Sequence, residues 1–266
     1  MFSSGAACER AILAVRVFLF FLTLVSLTTL ALSQVPDANP YFARKNTFSV
    51  FGAYSNDSSH ILMGDAENRK LLEFGGGYGR RLFMNRIVNW QYNGEILPVA
   101  LESDLVGQSV QTQILPVAKT GPAYSVGQVL SCAVVITLYS YIFPNPTGGT
   151  TTYSGYFTQT CSGREWTIGE AISPVGFQWN FLPRLKAQPF LIGHGGYMYS
   201  TKPIPTAIAG SFNFTFDFGA GVELYRSRTQ SVRAEYRFHH ISNHQTAEEN
   251  PGIDNGVFQV TYSFGR

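Results

Sequence analysis

The sequence is poor in charge, poor in cysteine and, beyond its N-terminal stretch, without a long apolar run. Lys and Arg number 19 and Asp and Glu 17 among 266 residues, a formal net charge of +2. So few charges, so nearly balanced, make no basic surface and give no case for a nucleic-acid partner. No compact cluster of ligating side chains stands out, so no metal or other cofactor is expected. The one internal stretch that resembles a membrane helix, Leu130 to Phe143, is short and rich in β-branched and aromatic residues. Ser131, Thr137 and Ser140 interrupt it, which excludes a clean helical span.

What is present begins with Arg10, Arg16 and the apolar run Val17 to Leu32, closed by Ala31-Leu-Ser33 before Gln34. This pattern predicts a secretory signal peptide over residues 1–33, with an uncleaved anchor as the alternative. The remainder, 34–266, is long enough for one domain. Cys8 would leave with the signal, so the exported chain would keep Cys132 and Cys161. An even pair in an exported chain suggests a disulfide. A hairpin centred on the Pro144-Asn-Pro-Thr-Gly-Gly149 turn would set 132 opposite 161.

Alternation recurs along the rest of the chain. Segments near 46–55, 69–83, 86–102, 172–182, 188–200, 211–225, 229–242 and 255–264 exchange apolar and polar residues with a period of two. The clearest is 211–225, where Phe212, Phe214, Phe216, Phe218, Ala220 and Val222 alternate with Asn213, Thr215, Asp217, Gly219, Gly221 and Glu223. Connections alternate between short and long. The pattern predicts an all-β fold, an eight-stranded antiparallel transmembrane β-barrel with a polar interior and a lipid-facing wall. The connection 103–171 is too long to be structureless. It is read as an extracellular insertion carrying the Cys132–Cys161 hairpin, as a cap or strand extension; if the hairpin joins the wall the count becomes ten.

The seventh segment ends in Phe238-His-His-Ile-Ser-Asn243, and Pro251-Gly-Ile-Asp254 leads into the eighth. Strand parity sends His240 and Ser242 outward, roughly 6.6 Å apart along the strand, and Asp254 to the same wall from the neighbouring strand. A serine becomes a nucleophile when a base takes its proton and a third group orients that base. Polar groups on a lipid-facing wall are costly, which favours function over accident. His239 has interior parity, and His244 falls in a solvated loop.

These residues, with Pro189-Phe190, Asn213-Phe214 and Gly219-Ala-Gly221, resemble the outer-membrane lipid A 3-O-deacylases of the PagL type. The resemblance implies an eight-stranded barrel and a serine esterase that removes the ester-linked 3-position acyl chain of lipid A in the outer leaflet. It implies His240 as general base, Ser242 as nucleophile and Asp254 as the acid. The family commonly has Glu at that place, so Glu248 and Glu249 stay open as alternatives. By the same resemblance Asn243 would be an oxyanion donor. The implied partner is lipopolysaccharide in the bacterial outer membrane, and a homodimer stays open. Two rival readings accompany this one: a phospholipase A-like acyl hydrolase, and a structural or adhesion barrel without catalysis.

Overall fold

The computed structural model describes residues 41–266; the predicted signal, residues 1–33, lies outside them. Among the described residues there is no helix, and the strands are β1 Asn46–Ser55, β2 Lys70–Met84, β3 Val88–Leu115, β4 Lys119–Thr120, β5 Tyr124–Val129, β6 Val135–Pro144, β7 Thr150–Phe181, β8 Ala187–Ser200, β9 Phe212–Tyr225, β10 Gln230–Ser242 and β11 Ile253–Gly265. Eight of them close into a ring. β3, β2, β1, β11, β10, β9, β8 and β7 pair in that order, and β7 returns to β3. All these pairings are antiparallel. The ends of the chain meet in the β1–β11 ladder, from Thr47 opposite Gly265 to Tyr54 opposite Phe258. Closure leaves the ring no free edge.

The alternation predicted for β9 is what positions its side chains. Phe212, Phe214, Phe216 and Phe218 stand outside at 38–47% exposure, whereas Asn213, Thr215 and Asp217 are buried inside. The outer surface is apolar all round, with Phe48, Val50, Leu191, Tyr236, Phe258, Val260 and Tyr262 exposed in the same way. The interior is polar and packed. Gly219 and Gly221 face it, where an added Cβ would lie 2.9 Å from Arg237 Cγ and 2.8 Å from Phe190 Cζ. Large side chains from neighbouring strands therefore fill the space that the glycines leave.

At the centre of the interior, Arg237 makes a bidentate pair with Glu95, at 2.9 Å on both nitrogens. It also donates to Glu235 at 2.8 Å and lies 3.6 Å from Asp217, which His194 Nδ1 meets at 2.9 Å. A buried guanidinium shared by three carboxylates is costly to remove, because each acid is left without its counter-charge. Arg237→Ala is expected to lower unfolding stability by about 3–5 kcal/mol. The readout is the urea midpoint of unfolding followed by the circular dichroism of the sheet, and an unchanged midpoint would refute the assignment.

The long connection differs from a loop. β3 and β7 continue past the ring as a paired extension, from Ser103 opposite Trp166 to Leu115 opposite Ser154. β5 adds to the free side of β3, and β6 to the free side of β7. Neither enters the ring, so the wall stays at eight strands rather than ten. The disulfide Cys132–Cys161 is formed, with Cα atoms 5.3 Å apart. The hairpin register is one residue off the symmetric expectation, since Val135 pairs with Gln159 and Pro144 with Thr150. Cys132 lies beyond the end of that ladder, and this lets it reach Cys161.

Short connections (β2–β3, β7–β8 and β9–β10) gather at one end of the ring. The longer ones, including 56–69, 201–211 and 243–252, gather at the other, where the functional candidates lie.

Candidate active site

β10 carries Phe238, His240 and Ser242 on its outward face, and β11 places Asp254 directly opposite His240. Residues in direct cross-strand register have their Cβ atoms roughly 5 Å apart. A histidine and an aspartate at that separation can meet without leaving their strands, and His240 Nδ1 lies 2.6 Å from Asp254 Oδ1. The Phe238 ring lies nearly parallel to that of His240, their centroids 6.5 Å apart. It fixes the imidazole from the side facing down the wall.

Asp254 is not on an open surface, as strand parity alone would have it. It is fully buried, because the β1–β2 connection folds over it. Leu62 and Met63 donate their backbone N–H groups to Asp254 Oδ2 at 2.7 and 2.8 Å. The same connection is bound along residues 251–255: Asp65 N to Pro251 O at 2.6 Å, Ala66 N to Gly252 O at 3.1 Å, and Ser59 N to Asp254 O at 3.2 Å. One oxygen of the carboxylate is thus committed to the loop and the other to the histidine. A buried acid without such donors would be strongly destabilising.

Two glycines allow this approach. A Cβ on Gly64 would stand 2.6 Å from Asp254 N, and one on Gly252 would stand 3.1 Å from His240 Cε1. Gly252 also has φ of 64°, the left-handed region that other residues enter at a cost. Arg69, fully buried, secures the base of the loop. It lies 3.0 Å from Asp104 and donates to Val129 O at 2.6 Å and Pro205 O at 3.2 Å. The rim loops and the foot of the β3–β7 extension therefore share one anchor.

Ser242 is brought to the same face but is turned toward its own loop. Its Oγ donates to Asn250 Oδ1 at 3.1 Å and accepts from His244 N at 3.1 Å. Asn250 Oδ1 accepts from Asn243 N as well, at 3.0 Å. The structure thus assembles the His240–Asp254 pair and holds the serine hydroxyl beside it without a hydrogen bond to the imidazole. His244 and Gln245 follow with φ of 52° and 61°, and this turn brings Asn250 back over the serine.

Asn243 departs from the oxyanion role. Its amide nitrogen donates to Ala209 O and to Glu249 O (2.6 Å), and its Oδ1 accepts from Gln245 N at 2.9 Å. Both amide hydrogens are used by loop carbonyls, so the side chain shapes the turn instead. The acid alternatives separate too. Glu249 Oε2 accepts from Thr206 Oγ1 at 3.1 Å, and the carboxylate bonded to His240 is that of Asp254. His239 is buried inside the ring opposite Asp217. His244 is exposed, with its ring edge toward Phe214.

Strand parity could not reveal Leu62, Met63 and Asn250. The first two act through backbone amides, which every residue but proline carries, and the third is an ordinary loop asparagine.

A closed eight-stranded antiparallel sheet, polar within and apolar without, carries a histidine–aspartate pair and a serine at one rim. Residues 138–263 match the family model described as lipid A 3-O-deacylase (PagL). That stretch includes His240, Ser242 and Asp254. Among solved structures, the crystal structure of the outer membrane enzyme PagL aligns at 12% identity and TM-score 0.42, covering 83% of this chain and 99% of that one. Neisserial surface protein A aligns at 11% identity and TM-score 0.37, covering 84% of this chain and 97% of that one. No curated protein matches the chain.

Proposed function

We propose that the protein is exported through residues 1–33, inserts in the bacterial outer membrane as a β-barrel, and removes the ester-linked 3-position acyl chain of lipid A. The observation that carries this reading is the 2.6 Å His240–Asp254 bond on the apolar outside of the ring. A histidine and a carboxylate serve no packing purpose on a wall whose outward residues are mostly apolar, such as Phe216, Phe258 and Val260. The apolar belt supports lipid as the surrounding solvent.

In the reaction, Asp254 as a carboxylate accepts the Nδ1 proton of His240 in a hydrogen bond, which leaves the Nε2 lone pair free. Ser242 lies two residues along the same face. Its Oγ leaves Asn250 by a change of χ1 to another staggered well and gives its proton to Nε2. Oγ then bonds to the ester carbonyl carbon, and the sugar oxygen leaves with the proton from His240. A water deprotonated by the same nitrogen attacks the acyl-serine, releasing the fatty acid and returning the proton to Oγ. The acyl chain stays against the Phe216 and Phe238 side of the wall throughout, so hydrocarbon need not enter water. Asn243 and Asn250 shape the loop that holds the resting serine.

Mass spectra of lipid A from cells with and without the protein test the reading. The expected result is loss of one ester-linked hydroxyacyl chain. Unchanged lipid A, or fatty acid released from glycerophospholipids instead, would overturn it.

A further inference from the structure

The β1–β2 connection does more than cover Asp254. While its backbone holds the acid, the side chains of Ile61, Leu62 and Met63 point away from the protein, exposed by 46, 63 and 56%. Three consecutive apolar residues on a polar rim loop are unusual, and they are not there for packing. Directly along β11 from Asp254 run Phe258, Val260 and Tyr262, all exposed on the outer wall. The apolar tip is thus the upper margin of the same hydrocarbon surface. The loop is also bound by backbone hydrogen bonds at residues 59, 65 and 66, so the tip is held at a fixed height above the strand.

We propose that Ile61-Leu62-Met63 is a lipid-immersed tip that positions the catalytic acid: its side chains sit in the acyl layer of the leaflet, and their amides hold Asp254 toward His240. Immersion and acid orientation are linked, because the same two residues, Leu62 and Met63, supply both the apolar side chains and the N–H groups. Drawing the tip out of lipid moves the amides and loosens Asp254. The positioning half rests on the deacylase reading; the immersion half does not.

The test uses the full chain in vesicles of lipopolysaccharide and brominated phosphatidylethanolamine. Leu62→Trp is expected to add a blue-shifted emission, above that of the native tryptophans, which the brominated chains quench. Emission at the wavelength of water-exposed tryptophan, without quenching, would overturn the proposal whatever the protein catalyses. Leu62→Asp keeps the backbone amide but places a charge in the acyl layer. It is expected to lower kcat on lipid A roughly tenfold, with KM little changed, as misplacement of a catalytic group does. Leu62→Phe is expected to restore the rate. A rise in KM alone would mean that the tip only binds substrate, and would overturn the positioning role. If the wild-type protein does not deacylate lipid A, the functional reading fails separately. The downfield Nδ1 proton resonance of His240 then reports the acid's position without turnover, and its persistence in Leu62→Asp would overturn the link.

Discussion

Ser242→Ala is expected to abolish deacylation while leaving the folded ring intact. The serine is the only group in the reading that forms a covalent bond with substrate, so its loss removes the pathway rather than slowing one step. Removal of the nucleophile in a hydrolytic triad costs on the order of 10^6 in kcat. The structural cost is small by comparison. Ala forfeits the hydrogen bond to Asn250 and the one from His244 N, each worth about 1 kcal/mol net. Strand β10 ends at this residue, so no ladder pairing depends on the hydroxyl. The variant should therefore show the same circular dichroism of the sheet as the parent, and lipid A from cells that carry it should keep all its acyl chains. Deacylation at the parental rate would remove Ser242 from the chemistry and the serine esterase mechanism with it.

The second large effect falls on Asp254. In Asp254→Asn, one oxygen can still accept from Leu62 and Met63, so the loop stays in place. The group facing His240 is then an amide N–H, which cannot accept the Nδ1 proton. The imidazole turns to the tautomer that carries its proton on Nε2, and it loses the lone pair meant for Ser242. A triad carboxylate replaced in this way costs on the order of 10^4 in kcat. Asp254→Ala should add a fold defect, because the two loop amides lose their acceptor as well. Comparing the variants separates chemistry from architecture: the Asn form is folded and inactive, the Ala form inactive and less stable. An Asn variant with near-parental turnover would show that another group orients His240.

Much of the ring was legible in the sequence because its two faces differ in polarity, polar inside and apolar outside. In β9, four phenylalanines alternating with Asn, Thr and Asp leave one choice of face, and the structure keeps it. The same parity sends His240 and Asp254 to one wall, and their pairing across β10 and β11 is a matter of register, which parity does not give. The β3–β7 extension was expected as a cap or strand extension carrying the disulfide hairpin, but its strand limits were not legible, for the opposite reason. Neither face of β6 is buried, and Ile136, Leu138, Ile142 and Phe143 are exposed irrespective of parity. A strand with two similar faces has no period to detect. The loop over Asp254 was hidden because its contribution comes from main-chain amides. The glycines that permit its approach, Gly64 and Gly252, look like ordinary turn residues until the neighbouring atoms are known. Asn243 illustrates a further limit: its place beside the serine suggested chemistry, but the folded loop uses both of its hydrogens.

The extension beyond the ring has one more consequence. Between Lys119 and Arg164 the sequence holds no Asp, Glu, Lys, Arg or His. That stretch includes β5, β6 and the outer part of β7, so the arm projects almost no electric field of its own. Attraction between exposed charges fades over a Debye length of about 8 Å at physiological salt, but this arm has no such attraction to lose. Whatever it meets, it meets through shape, hydroxyl groups and hydrocarbon. Screening by salt should therefore weaken none of its contacts, since none of them rests on attraction between charges.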